Sequence, residues 1–100
     1  TTHRLQPSPR LPAHAAAKAA LLSLTRSAAF EAGPHGVTVN ALALGHIQTE
    51  HQHHDERAQR GPTRRLGTVQ EVVSAALFLL SDEASYINGA ELPVSGGYGV

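Results

Sequence analysis

The sequence contains no cysteine, no methionine and no tryptophan, and apart from histidine its aromatic residues are two tyrosines and two phenylalanines. The absence of cysteine excludes a disulfide framework, and it makes a reducing compartment such as the cytoplasm the default expectation. Methionine is missing even at position 1, so we expect a chain that was processed or cut from a longer one.

An excess of either charge is also missing, because eight lysines and arginines balance eight aspartates and glutamates. A balanced chain offers no basic surface to nucleic acid or to an anionic membrane. The longest apolar run, near the N-terminus, is interrupted by Lys18, Ser23 and Thr25, so neither a signal peptide nor a membrane span is expected. One hundred residues allow one domain at most.

The clearest pattern present is Pro12–Ala32, PAHAAAKAALLSLTRSAAFEA, which predicts a helix. Proline suits the first helical turn, and alanine and leucine have high helix propensity. Gly33 and Pro34 predict its end. Because positions four apart share one helical face, His14 and Lys18 form a candidate acid–base pair, with an incidental surface pair as the alternative.

Two stripes along this helix predict that it is packed between two layers, since small residues let another backbone approach closely. One stripe is bulkier and comprises Ala17, Leu21, Leu24 and Ala28, and the other is small and comprises Ala16, Ala20, Ser23 and Ser27.

Residues 37–44, VTVNALAL, predict a strand that is buried on both faces, as in a parallel sheet, with its regular part at 37–42. A second, short strand is predicted at 92–94, where Pro93 favours the edge of a sheet. Helices and strands that alternate along the chain predict an α/β fold.

A second helix is predicted over residues 69–82. Thr68 and Glu71 have the spacing of a capping box, in which each side chain bonds the other residue's backbone N–H. One face of this helix is predicted to carry the apolar residues Val72, Ala76, Leu79 and Leu80.

Residues 46–65, HIQTEHQHHDERAQRGPTRR, are polar and predict an irregular binding loop or lid, or a disordered stretch. Imidazole and carboxylate side chains suit zinc or nickel, so His51, His53, His54 and Asp55 allow a metal site as an alternative. No second ligand group at a fixed spacing supports it, and we predict a solvated loop without metal.

Three blocks of this sequence resemble the short-chain dehydrogenase/reductase family. AAAKAALLSLTRSAAFEAGPHGVTVNAL resembles its catalytic helix and the next strand, GHIQTE the segment at the nicotinamide end of the cofactor, and RLGTVQEVVSAALFLLSDEASYINGAELPVSGGYGV its last helix, turn and strand. The resemblance implies the C-terminal part of a doubly wound, parallel Rossmann-type sheet. Residues 1–100 would then be a single partial domain of two helices and two strands, without the N-terminal half and its glycine-rich pyrophosphate turn.

The resemblance also implies an active site. The family pairs a tyrosine, which exchanges a proton with the substrate oxygen, with a lysine four residues later that holds the nicotinamide ribose and lowers the tyrosine pKa. The lysine maps to Lys18, and the tyrosine position holds His14. The family's catalytic serine would fall at or just before Thr1 and Thr2, so Thr1 is the candidate for its hydroxyl.

The implied cofactor is NAD or NADP, and the candidate contacts are Gly45, Ile47 and Thr49 together with Lys18. Leu44 stands where the family usually has a proline. The residues that would choose between NAD and NADP belong to the N-terminal half of the family's fold.

His14 leaves two interpretations open. An imidazole titrates near pH 6.5 and a phenol near 10, and the shorter imidazole ring does not reach the position of the phenolic oxygen. A displacement of about one ångström can lower a rate about a hundredfold. A neutral imidazole still donates one proton and accepts another, so His14 is either a substituted catalyst or a sign of lost activity.

The resemblance therefore predicts the C-terminal segment of an NAD(P)-dependent oxidoreductase that transfers hydride between nicotinamide and a small carbonyl or alcohol substrate. The alternatives are a catalytically degenerate subunit that binds or forms oligomers, and a truncation product without function. We expect the chain alone to be inactive. The intact protein is expected to form a homo-oligomer through the first helix and the C-terminal strand, without nucleic acid or membrane partners.

Overall fold

The computed structural model of the protein describes residues 11–99. The first helix, α1, spans Pro12–Ala32, as predicted, with its proline in the first turn. The chain then tightens into a 3-10 turn at Gly33–His35, and Gly36, with a φ of 74°, reverses its direction. A positive φ favours glycine because it has no β-carbon.

One face of α1 is buried, and neither predicted stripe forms it. Leu22, Thr25 and Ala29 are the buried residues, spaced as one helical face requires. Leu21 and Leu24 are 54% and 64% exposed. Residues 11–99 place a layer on one face of α1, so the second covering layer stays a prediction.

Two strands, β1 at Ala41–Leu44 and β2 at Glu91–Val94, pair in parallel, with Ala41 opposite Glu91. Pro93 lies in a strand at the edge of this two-stranded sheet, as predicted. The predicted start of β1 at residue 37 is wrong. The regular strand begins four residues later.

Two asparagine side chains explain why β1 starts late. Asn88 Oδ1 accepts the N–H of Val39 at 2.9 Å, and Asn88 Nδ2 donates to the carbonyl of Ala29 at 2.9 Å. Asn40 donates to the carbonyl of Ile87 and accepts the N–H of Ala90, both at 2.9 Å. The backbone before β1 is therefore held mainly by side chains, with one backbone hydrogen bond from the N–H of Gly89 to the carbonyl of Val39 at 2.9 Å in place of a continuous ladder.

The second long helix, α3, spans Val69–Leu79 and ends earlier than predicted. Its end is fixed by Ser81, whose Oγ donates to the carbonyl of Phe78 at 2.6 Å, and a 3-10 turn follows at Asp82–Ala84. The predicted apolar face is half-buried except at its last member, Leu80, which is 83% exposed because it lies beyond the helix end.

The predicted capping box is present. Thr68 Oγ1 accepts the N–H of Glu71 at 3.2 Å, and Glu71 Oε2 accepts the N–H of Thr68 at 2.8 Å. Nη2 and Nη1 of Arg65 donate to the two oxygens of the same carboxylate at 2.7 and 3.0 Å. These hydrogen bonds lower the pKa of Glu71 to about 2. This cluster fixes the entry into α3.

Replacing Thr68 with alanine is expected to lower the free energy of unfolding of the full-length gene product by about 1 kcal/mol, because one N–H at the start of α3 loses its acceptor. Urea unfolding measures the change. Thr68→Ser keeps the hydroxyl and is the matched control. Equal stability of the two variants would contradict a role for the cap.

The stretch at 46–65 is not irregular throughout, which corrects the prediction. A short helix, α2, spans Glu56–Gln59; it is capped by Asp55 and buries Ala58. Within residues 11–99, no group of three or more histidine, aspartate or glutamate side chains is arranged to hold a metal ion. In the same part of the chain, no helix is both long and apolar enough to cross a membrane.

Candidate functional site

The candidate acid–base pair lies at the start of α1. His14 is exposed in the first turn, and Lys18 follows one turn later on the half-buried side of the helix. Lys18 lines a cavity of about 80 Å³ between α1 and β1, whose other walls include Leu22 and Leu42. The structure therefore directs the lysine toward the sheet. Thr1, the candidate for the serine position, lies outside the described residues, so its role stays a prediction.

The backbone around Ile47 is bonded on one side only. Gly67 N–H donates to the carbonyl of His46 at 2.9 Å, and Gln48 N–H donates to the carbonyl of Gly67 at 2.8 Å. Successive peptide groups of an extended chain point to opposite sides, so the N–H and C=O of Ile47 face away from Gly67. Within residues 11–99 neither group has a backbone partner.

Thr49 lies two residues further along the same segment and is exposed. Its backbone exchanges two hydrogen bonds with Gln52, at 3.1 and 3.2 Å, which form an isolated antiparallel bridge. Ile47 and Thr49 thus lie together beyond the carboxyl end of β1, the edge of a parallel sheet where ligands bind in open α/β folds.

Close packing against Ser95 explains why position 45 is a glycine. A β-carbon at this position would lie 2.8 Å from Cα of Ser95, closer than side chains approach a backbone. The end of β1 can lie against the segment after β2 only with glycine here. A contact of Gly45 with a cofactor stays a prediction.

A polar cluster that sequence reasoning missed lies beside this segment. Asp55, 8% exposed, bonds the N–H and guanidinium of Arg57 and lies 3.5 Å from Nδ1 of His46. The hydrogen bonds from Arg57 lower the pKa of Asp55 to about 2, so the carboxylate is charged at neutral pH. His46 in turn packs edge-on against Tyr98, with ring centroids 4.4 Å apart.

Two further polar atoms of this region, Nε2 of His46 and Oγ of Ser95, are buried without a hydrogen-bond partner in the described part of the chain. Aspartate is a preferred N-cap residue, and Glu56 adds an acidic residue to the first turn, so this sequence signal could have located the carboxylate. Nothing in the sequence indicated its contact with His46.

The described residues fit one end of an NAD(P) cofactor. The carboxamide of nicotinamide has a donor and an acceptor, which match the N–H and C=O of Ile47, and the ammonium of Lys18 suits ribose hydroxyls. A pyrophosphate needs a glycine-rich turn between a strand and a helix, and residues 11–99 contain none. Within residues 11–99 the candidate contacts are therefore with the nicotinamide end, and they stay a prediction.

Comparison with known proteins shows the family of the chain. A family model described as enoyl-(acyl carrier protein) reductase matches residues 2–99. The 3-oxoacyl-[acyl-carrier-protein] reductase MabA of Mycobacterium avium is 47% identical over 93 residues, which are 87% of this chain and 36% of that protein.

Two solved structures superpose closely. A short chain dehydrogenase from Bacillus anthracis matches with a TM-score of 0.88 and 38% identity. The superposition covers all of this chain and 40% of the dehydrogenase. A 3-oxoacyl-[acyl-carrier protein] reductase with bound NAD from Brucella melitensis matches with a TM-score of 0.86 and 34% identity. The superposition covers all of this chain and 38% of the reductase.

The chain spans about a third of the length of the curated relatives it matches. The family match nevertheless extends over almost every residue of the chain, and the fold agrees with it. The chain belongs to the short-chain dehydrogenase/reductase family and corresponds to the C-terminal portion of its Rossmann-type fold.

Proposed function

We propose that the chain forms the nicotinamide side of an NAD(P)-dependent oxidoreductase, which transfers hydride between the cofactor and the carbonyl or alcohol carbon of a small molecule. The observation that carries the proposal is the orientation of Ile47, whose backbone N–H and C=O face away from Gly67 at the carboxyl end of β1. Lys18 lines a cavity whose walls include Ala41, Leu42 and Ala43 of the same strand. The names of MabA and of the NAD-bound reductase from Brucella melitensis support the class of reaction.

Each residue has a separate task in this proposal. When bound, the nicotinamide supplies or accepts the hydride. Ile47 orients the carboxamide through its backbone, and Lys18 donates hydrogen bonds to the ribose. His14 holds or releases a proton at a ring nitrogen, so that the substrate oxygen gains a proton during reduction and loses one during oxidation.

The setting of the whole protein is also part of the proposal. A chain without cysteine fits a cytoplasmic enzyme. The exposed leucines of α1, Leu21 and Leu24, suit a contact between subunits, so we propose a homo-oligomer that uses α1 and β2.

Cofactor titration of the full-length gene product tests the proposal. NADH or NADPH should bind with micromolar affinity, and Lys18→Ala should weaken the binding about tenfold, because hydrogen bonds to a charged donor are lost. Arg26→Ala removes an exposed charge two turns further along α1 and should have no effect. A folded protein that binds neither cofactor would contradict the proposal.

His14 favours a second candidate, a subunit that binds cofactor without catalysing turnover. Its imidazole occupies the position of the family's tyrosine and has a shorter reach. Cofactor binding without reduction of any carbonyl substrate would distinguish this candidate from an active enzyme.

Residues 1–100 in isolation are expected to bind neither NAD nor NADP measurably. Lys18, Ile47 and Thr49 provide contacts to the nicotinamide end only, and several contacts must act together to offset the freedom lost on binding. Calorimetry on the isolated chain measures this, and a dissociation constant in the low micromolar range would refute the expectation.

A further inference from the structure

A buried carboxylate lies in the stretch between β1 and α3, outside the acid–base pair. Asp55 caps α2 and accepts hydrogen bonds from the N–H of Arg57 at 2.8 Å and from Nε and Nη2 of its guanidinium at 3.2 and 3.1 Å. Gln52 Nε2 donates at 2.8 Å to Oδ2, the same oxygen that Nη2 of Arg57 bonds. So many donors around one side chain fix its position.

The first link from Asp55 to the nicotinamide-facing segment runs through His46. Nδ1 of His46 lies 3.5 Å from Oδ2 of Asp55, and the ring is held from another side by Tyr98. His46 immediately precedes Ile47, and its carbonyl accepts the N–H of Gly67. A shift of His46 would therefore turn the peptide groups of Ile47.

The second link runs through Gln52. Its side chain bonds Asp55, while its backbone is paired with that of Thr49. Asp55 is consequently connected to both ends of residues 46–52, and the two candidate cofactor contacts, Ile47 and Thr49, lie between these ends.

We infer that Asp55 is a positioning residue, which holds the segment carrying Ile47 and Thr49 in the geometry that receives the nicotinamide. The inference rests on the proposed function. Asp55 acts through His46 and Gln52 and touches no reactant itself. A carboxylate suits this position because Arg57 has donors only and bonds both of its oxygens, whereas an asparagine amide would direct its own N–H groups at one of these donors.

The test compares two ligands of the full-length gene product: the reduced cofactor that it binds, and the ADP-ribose part of that cofactor, with its 2′-phosphate if NADPH is preferred. Asp55→Asn should weaken the binding of the reduced cofactor about tenfold, because one or two hydrogen bonds to its nicotinamide end are lost. ADP-ribose, which lacks nicotinamide, should bind as before. A general structural defect would weaken both ligands.

Two variants complete the test. Gln52→Leu removes only the link between Asp55 and Thr49, and it should weaken the binding of the reduced cofactor by a smaller factor without affecting that of ADP-ribose. This variant keeps the inference testable if Asp55→Asn does not fold. Glu56→Gln removes the neighbouring exposed charge and should change neither affinity. Unchanged affinity for the reduced cofactor in Asp55→Asn, or an equal loss of both ligands, would overturn the inference. A wild-type protein that binds neither ligand would instead contradict the proposed function.

Discussion

Replacing His14 with tyrosine is expected to raise kcat/KM for NAD(P)H-dependent carbonyl reduction by the full-length gene product about a hundredfold. Lys18 lies one helical turn away, where its ammonium would lower the pKa of the new phenol. The longer side chain would bring its oxygen to the place that the imidazole does not reach. Steady-state rates with a panel of ketones and aldehydes measure the change.

Two controls separate proton transfer from ring packing. His14→Phe introduces a ring of similar size without a transferable proton and should give no gain in kcat/KM. Lys18→Ala in the His14→Tyr protein should remove most of the gain, because the phenol then loses its neighbouring ammonium. A His14→Tyr protein that binds cofactor and reduces nothing faster would place the defect elsewhere, at Thr1 or at Leu44.

Residues 1–100 in isolation are expected to self-associate and to have a free energy of unfolding below the roughly 5 kcal/mol of the least stable ordinary domains. The sheet of residues 11–99 has two strands, and one edge of β1 has no strand beside it in this part of the chain. Among residues 11–99 the buried hydrophobic residues are Leu22 and four alanines, while Phe30 is 88% exposed. Unpaired strand edges and exposed apolar side chains both promote association.

Sedimentation velocity over a range of concentrations and a thermal melt measure this behaviour. We expect a sedimentation coefficient that rises with concentration and a broad melt. Leu24→Glu places a charge among the exposed leucines of α1 and should reduce association. Ser23→Glu is the matched control: it adds the same charge at a neighbouring position that is not part of the exposed leucines, and it should change association less. A sharp two-state melt of a monomeric sample would show that residues 1–100 are a self-sufficient domain.

Features encoded by neighbouring residues could be predicted from the sequence. The bounds of α1 follow from its proline and its run of alanine and leucine, and the capping box follows from Thr68 and Glu71 alone. The pair of His14 and Lys18 on one helix is local in the same sense. Each depends on residues within one or two helical turns, so helix geometry is sufficient to infer it.

Features that depend on distant residues were predicted wrongly or missed. The late start of β1 is caused by Asn88, which lies 49 positions from Val39. The buried face of α1 depends on which side the sheet covers, and alanines on every side of the helix give no preference. The contact between Asp55 and His46 requires the stretch after β1 to fold back, which no local pattern specifies.

The most direct measurement follows deuterium from C4 of deuterated NADH or NADPH into the product alcohol formed by the full-length gene product and by its His14→Tyr variant. If Lys18 and Ile47 hold the nicotinamide beside the substrate carbonyl, the carbinol carbon will carry the deuterium, and Lys18→Ala will slow its transfer. Cofactor bound by both proteins, with no deuterium delivered by either one to any carbonyl, would contradict hydride transfer at this site.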